Sequence, residues 1–515
     1  MRRPVFVRDR AFALTVRCTL RCTLLGVTAA LLVGTTSCSS HGAGGAGAMP
    51  VPGRSDGPAA TGGAGPDDGA APVGPEAGPM PGPAEDAQAE TGGSPPSVSV
   101  PDAAPVPDAG APSPPTAYDP ADFLKVNGTQ ITNARGEIVS LYGTNLGGWM
   151  VHESWMSPLA GVPDDSHMIS TLTQRFGAAT AQMLINTYLD TWVEADDFAK
   201  IAAEGLNVVR IPIYYLNVMD ASGNWKQDAA GNIDFSRMDW AVKQAAQHGL
   251  YSIIDLHGVP GSQNGWDHSG LVTSTPSFFR DTNAQAIAIK FWTEYAKHYA
   301  GNSFVAGYDP LNEPNAATGE TLWTFYDKAI AAIRAADKDH VIFVETPWAW
   351  SGLPNPTTRS WTNVVYSNHN YQWTDNANIN TMRGFVDGIM NDATSHFPTY
   401  KVPLLIGEFT LFGLLESWTY GLNRFAEQGG INWTMWSFKV RTTNSTWGLY
   451  NLKDGEISDT NVPNVVSDSQ ATILAKWSSW RTSQHFQRNN SLCDIVKAVA
   501  QKNLNIRRPV FRTVP

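Results

Sequence analysis

Apolar residues gather in eight short runs, Ser140–Leu146, Asn207–Ile213, Tyr251–Leu256, Val305–Leu311, His340–Glu345, Asn363–Ser367, Pro403–Ile406 and Asn432–Phe438, separated by longer helix-like stretches. Runs of this length suit strands buried on both faces. Between the second and third runs, Asp234 is placed to cap a helix and Gly249 to stop it. Strands alternating with helices imply right-handed crossovers and a parallel sheet. Eight such units over roughly 365 residues predict an α/β fold of the (β/α)8 TIM-barrel type with enlarged loops. An open doubly wound sheet is the alternative. It would need a nucleotide-type glycine turn after an early strand, and the sequence has none.

Composition changes the picture at the N-terminus. Residues 1–38 begin with a basic segment holding Arg2, Arg3, Arg8, Arg10, Arg17 and Arg21, continue through an apolar stretch, Leu24–Val33, and end in small residues before Cys38. That layout predicts a signal peptide, and the apolar stretch is short for a membrane span. Thr35-Thr36-Ser37-Cys38 resembles a bacterial lipoprotein cleavage box, which makes Cys38 a candidate for lipidation and membrane attachment. Ordinary cleavage nearby, or a leader that remains as an anchor, is the alternative. Residues 39–117 hold no Phe, Tyr, Trp, Leu or Ile and are dominated by Gly, Pro and Ala. Such a segment buries too little apolar surface to offset its ordering entropy and is expected to be a disordered linker. All 18 Trp follow it. Residues 118–482 would then be the barrel domain, and 483–515 a C-terminal extension, partly helical and placed to close the barrel bottom.

Cys493 is the only cysteine after the leader, which excludes an intramolecular disulfide framework and suggests a buried thiol. A net charge of −11 argues against nucleic acid as a partner and suits a neutral polymer. No cofactor motif and no metal-ligand spacing such as His-Glu-x-x-His is present, so neither cofactor nor metal is expected. The chain is expected to act as a monomer on a polysaccharide or oligosaccharide.

The polar residues Arg210, His257, Asn312, Glu313, His369, Tyr371, Glu408 and Trp436 all lie at or just beyond the C-terminal end of a run. Barrel active sites form on that face. Two carboxylates delivered there, Glu313 and Glu408, are what glycoside cleavage requires: one acid to protonate the leaving oxygen, one carboxylate to meet the oxocarbenium carbon. An acid at Glu313 needs desolvation or a negative neighbour to hold its proton near neutral pH.

The segments Gly143-Thr-Asn-Leu-Gly-Gly-Trp149, Arg210-Ile-Pro-Ile213, Asp255-Leu-His-Gly-Val-Pro-Gly-Ser-Gln-Asn-Gly265, Leu311-Asn-Glu-Pro314, His369-Asn-Tyr371 and Gly407-Glu408 together resemble glycoside hydrolase family 5, among the clan A retaining glycosidases, and within it the exo-β-1,3-glucanase branch. The resemblance implies Glu313 as acid/base and Glu408 as nucleophile, supported by Arg210, Asn312, His369 and Tyr371. It also implies Trp436 as an aromatic floor under the sugar, with His257, Trp266 and Glu153 as further substrate contacts. Trp149, Trp155, Trp373 and Trp447 are additional aromatic candidates. There are departures: Phe409-Thr410 where the branch has Trp-Ser, and Trp266 and His268 where it has Phe and Asn. The expected activity is retaining hydrolysis of β-glucan, β-1,3-linked and from the chain end. Alternatives are an endo-β-1,4-glucanase or other β-glycanase using the same carboxylates, and, in another class, a non-catalytic surface module that binds glycans.

Overall fold

All eight runs become strands of one closed parallel barrel: β1 (Tyr142–Asn145), β2 (Val208–Tyr214), β3 (Tyr251–Gly258), β4 (Val305–Asp309), β5 (Val341–Thr346), β6 (Val364–Asn370), β7 (Leu404–Phe409) and β8 (Asn432–Met435). Each strand pairs with its neighbours in sequence, and β8 closes on β1 with Trp433 opposite Tyr142. The computed structural model describes residues 116–117, 119–346, 349–427, 430–455 and 459–513. The expected leader, Cys38 and nearly all of the expected linker lie outside the described residues. Among the described residues, no helix is long and apolar enough to cross a membrane.

Strand alternation builds two cores. Leu141, Val208, Tyr251, Ile253, Val341, Phe343, Val365 and Leu405 pack together inside the barrel with Leu124 and Ile131. Val209, Ile211, Ile254, Ile342, Val344, Leu404 and Ile406 face outward onto the helices. Leu124 and Ile131 come from an antiparallel hairpin, Leu124–Asn127 with Gln130–Asn133. They meet the first residues of the strands, so the hairpin plugs the N-terminal end. The same alternation turns Arg210 inward one step above Val208, Asp255 above Ile253, and Glu345 above Phe343. A stack of buried polar residues therefore sits on the apolar interior, at the C-terminal ends of the strands.

The helix read from Asp234 to Gly249 forms over Ser236–Gln247. Asp234 accepts the Ser236 amide, and Gly249, at φ 69°, turns the chain back. The C-terminal helix, Asn490–Lys502, packs beside Leu415–Phe425 and buries Cys493. The bottom of the barrel is crossed by the segment after that helix: the Asn505 carbonyl accepts from Ser140 N at 2.8 Å, and the Arg507 carbonyl accepts from Asn207 Nδ2 at 2.8 Å.

Candidate active site

One guanidinium organises the barrel mouth. Arg210, fully buried, donates from Nε to Asp309 Oδ2 at 3.0 Å, from Nη1 to Glu408 Oε1 at 2.8 Å and Asn145 Oδ1 at 3.1 Å, and from Nη2 to Asn312 Oδ1 at 2.9 Å. Asp255 and Glu345 carboxylate oxygens lie 3.1 and 3.4 Å from Nη2. Four acids thus share one cation. Burial pushes Asp255 and Asp309 up to about 7 against the pull of Arg210, and pushes Glu345 well above the carboxylate range, with Asp309 adding to it. Arg210 is held well above its ordinary value by the acids despite its burial.

Glu408 sits at a bulge. β7 slips against β6 between Ile406 and Glu408, leaving Gly407 as the extra residue. Besides Arg210, Glu408 accepts from the Tyr371 hydroxyl, Oε2 at 2.9 Å. Burial, then the Glu408 charge, drives Tyr371 well above the phenol range, so it stays a donor. β6 ends at Asn370, so Tyr371 lies just past the strand and not on it.

Glu313 lies in the loop after β4, with a φ of 38° that few non-glycine residues adopt. Two contacts hold that conformation: its amide donates to Glu345 Oε1 at 2.7 Å, and its carbonyl accepts from Asn264 Nδ2 at 3.3 Å. Strain of this kind costs about 1–3 kcal/mol and collects at functional sites. The Glu313 carboxylate meets His369 Nδ1 at 2.8 Å through Oε1 and His268 Nε2 at 3.0 Å through Oε2. Burial raises it, as the sequence suggested. The two imidazoles outweigh burial, however: the charge and hydrogen bond of His268, with the hydrogen bond of His369, take it well below the ordinary range.

His369 Nδ1 also lies 3.4 Å from Glu408 Oε2. One oxygen of each glutamate and a ring nitrogen of His369 fall within 4.8 Å of one another. A small cation could use those atoms geometrically, but the guanidinium already resting on Glu408 opposes a second positive charge. Asn312 Nδ2 is buried without a hydrogen-bond partner beside this pair. A buried orphan donor at a barrel mouth suits a ligand oxygen.

The other expected contacts fall around the pair. His257 Nδ1 is 2.6 Å from Asp255 Oδ2, and burial takes the imidazole well below its ordinary value, so it is neutral. Its ring stacks on Trp436 at 5.7 Å and 12°. A Cβ at Gly147 would meet Trp436 Cζ2 at 2.8 Å, so the glycine gives the indole its room. Glu153 accepts from Trp155 Nε1 at 2.7 Å, and burial with Asp267 nearby pushes it up to about 8. Trp266 packs beside His268, at 5.4 Å between ring centroids. Trp373, 40% exposed, stacks with Tyr371 and Trp447 in an aromatic wall that Trp155 meets edge-on through Trp447. Trp149 is different: it is fully buried and donates to the Leu189 carbonyl, so it belongs to the core.

Sequence reasoning gave no role to Asn145, Asp255, Asp309, Glu345, Asn264 or His268. Glu345 carried the same signal as the two glutamates, an acid ending an apolar run. His268 carried none, because its partner comes from another loop.

Residues 171–441, more than half of the chain, match the family model described as Cellulase (glycosyl hydrolase family 5). The chain belongs to glycosyl hydrolase family 5. The family 5 match takes in Arg210, Asn312, Glu313, His369, Tyr371, Glu408 and Trp436, while Glu153 and β1 precede it. Among relatives, a probable glucan 1,3-beta-glucosidase A of Emericella nidulans is 32% identical over 292 residues, covering 55% of this chain and 69% of that one. A beta-xylosidase of Phanerodontia chrysosporium is 32% identical over 251 residues, covering 48% of this chain. The family 5 chain here spans about half (52%) of that relative's length. A solved endogalactoceramidase aligns over 73% of this chain and 84% of its own, at 18% identity and a TM-score of 0.49.

Proposed function

We propose that this family 5 enzyme hydrolyses β-glucan by double displacement with retention, with Glu313 as acid/base and Glu408 as nucleophile. The observation that carries the reading is the short distance between the two carboxylates, whose near oxygens fall within 4.8 Å. Retaining enzymes hold their carboxyls about 5–5.5 Å apart, whereas inverting ones leave about 6.5–9.5 Å for a water. Their surroundings differ. Glu408 is approached by the donors Arg210 and Tyr371, which hold it for attack on the anomeric carbon. Glu313 shares its oxygens with two imidazoles, which can exchange a proton. Attack by Glu408 breaks the bond from C1 to the leaving oxygen, and that oxygen takes the proton from Glu313. Esterification removes the Glu408 charge. Glu313 then draws a proton from water, whose oxygen attacks C1 and frees Glu408. Asn312 Nδ2 is the donor for the sugar 2-hydroxyl, and Trp436 and His257 form the floor and side of the same subsite.

β-1,3 linkage and action from the chain end are the preferred specificity, supported by likeness to glucan 1,3-beta-glucosidases and by Glu153 near the cleavage point. The beta-xylosidase relative favours a second reading, hydrolysis of another β-linked glycan with the same two glutamates. Export by the N-terminal leader, with lipid at Cys38, belongs to the same proposal.

Proton NMR of the first product from laminari-, cello- and xylo-oligosaccharides tests mechanism and linkage together. The β-anomer from laminari-oligosaccharides, released as glucose, is expected. An α-anomer first would overturn retention, and preference for another series would overturn the linkage. Glu408→Gly should abolish turnover and regain it with azide and an activated substrate.

A further inference from the structure

His268 stands on a short turn, Asp267–Ser269, in the loop after β3, well separated in sequence from Glu313. Its Nε2 lies between two groups of opposite demand. Glu313 Oε2, at 3.0 Å, is the carboxylate oxygen that His369 does not hold. Asn264 Nδ2 is 2.9 Å from the same nitrogen. The orientation of the Asn264 amide is fixed by two backbone partners: Oδ1 accepts from Trp266 N at 3.0 Å, and Nδ2 donates to the Glu313 carbonyl at 3.3 Å. Its second amide hydrogen therefore points at Nε2 as a donor, which is satisfied when Nε2 carries a lone pair. Glu313 Oε2 accepts from Nε2 when the proton is on the ring, and donates to it when the proton is on the carboxyl. The Nε2–Oε2 contact survives both arrangements, and the Asn264 amide offsets the cost of moving the proton to Glu313.

We propose that His268 stores the proton that Glu313 delivers to the leaving oxygen. The inference rests on the acid/base role proposed above for Glu313. In the resting enzyme the proton lies on Nε2. As the bond to the leaving oxygen breaks, Nε2 passes its proton to Glu313, which delivers it to that oxygen and is left ionised beside a neutral His268. When water attacks the glycosyl ester, Glu313 takes the water proton and returns it to Nε2. One proton leaves with the alcohol and one arrives from water, so the cycle balances. His268 is a positioning residue: it acts through Glu313 and does not touch the sugar carbon.

The charges around the ring suit a stored proton. Glu313 faces it from the loop after β4, Glu153 from the loop after β1, and Asp267 Oδ1 lies 3.8 Å from Nδ1 on its own turn. The neutral His257 ring of β3 stands 6.2 Å away. Burial opposes the imidazolium, but these carboxylates outweigh it and take His268 up to about 10.

The test uses the full chain with 15N-labelled histidine. His268, assigned from the spectrum of His268→Asn, should titrate well above an ordinary histidine, and Glu313→Gln should bring its midpoint down by about one pH unit or more. Ordinary titration in the parent, or a midpoint that ignores Glu313→Gln, overturns the proposal. In kinetics, the alkaline limb of kcat/KM on laminari-oligosaccharides should move down by about one pH unit in His268→Asn. The loss of kcat should be about tenfold larger on that substrate than on 2,4-dinitrophenyl β-glucoside, whose leaving group needs no acid. His268→Gln serves if the Asn variant does not fold. Glu313→Ala, run beside them, separates the two readings. If it discriminates between the leaving groups while the His268 variants keep the parent's limb, the proton store falls and the acid role stands. If it does not discriminate, the acid role falls and takes the store with it.

Discussion

Gly407 is the residue at which β7 slips one position against β6, and the slip turns Glu408 towards Arg210. A Cβ there would stand 2.7 Å from Ser367 Oγ and 2.9 Å from His369 Nε2. His369 is the ring that touches both glutamates, so a methyl group at 407 displaces the contact that sets their separation. Gly407→Ala should lower kcat by about 10²-fold, the cost of a misplacement near 1 Å. Overpacking of this kind costs about 1–3 kcal/mol of stability, which a domain of this size survives. Gly413→Ala is the matched control, because its Cβ would meet nothing within 4 Å. Equal kcat in the two variants would show that the bulge does not set the geometry. Single residues also mark where sequence reading stopped. Glu313 and Glu408 were legible because an acid ending an apolar run is costly unless the site uses it. His268 was not, because only the folding of its loop onto the β4 loop gives it a partner.

Each of four strands, or the loop edge just beyond, brings one acid to the same guanidinium: Asp255 from β3, Asp309 from β4, Glu345 from β5 and Glu408 from β7. The strands themselves were legible because a parallel strand buried on both faces must be an apolar run. The acids at their ends were only partly so, because strand alternation says which way a residue faces and not how many carboxyls share one cation. Asp255 and Asp309 each keep one buried oxygen without a hydrogen-bond partner, a poor place for a full negative charge. Burial takes both up to about 7. Between the ordinary carboxylate range and about 7, the folded chain therefore holds protons that the unfolded chain has released. The stabilisation they give is complete at low pH and is lost as pH rises through that window. Asp309→Asn keeps an oxygen for Arg210 Nε and removes one titrating group. Its urea stability should fall less steeply from pH 5 to pH 8 than that of the parent. An identical slope would remove Asp309 from the proton count.

At the scale of the whole molecule, chemistry and closure occupy opposite ends of the barrel. The site stands on the C-terminal ends of the strands, while the hairpin over 124–133 and the segment after Lys502 seal the other end. That segment is tied by more than its two bonds to Ser140 and Asn207. Arg508 donates to the His248 and Ala202 carbonyls, Val510 N donates to Asp122 Oδ2 at 2.7 Å, and Phe511 stacks on Phe304. Its last described strand, Arg512–Thr513, pairs with Thr116–Ala117 and joins the two ends of the described chain. None of these contacts reaches Glu313 or Glu408. Truncation after Lys502 removes the five hydrogen bonds named above, at about 1 kcal/mol each, together with the Arg507 Nε bond to the Ile138 carbonyl and the terminal strand pairing, and the Phe304 face becomes wet. Because some of the freed groups regain water, the net loss should be about 4 kcal/mol, equivalent to about 5 °C in Tm for a folded unit of this length. At 25 °C, well below the transition, kcat and its pH profile should match the parent, because the polar layer rests on an interior core that the truncation leaves in place. Scanning calorimetry and an oligosaccharide assay on the same preparation read both halves of this expectation. A truncated protein with unchanged Tm would mean that the tail does not seal the barrel. A lowered kcat at full folding would mean that the bottom of the barrel is coupled to the catalytic pair.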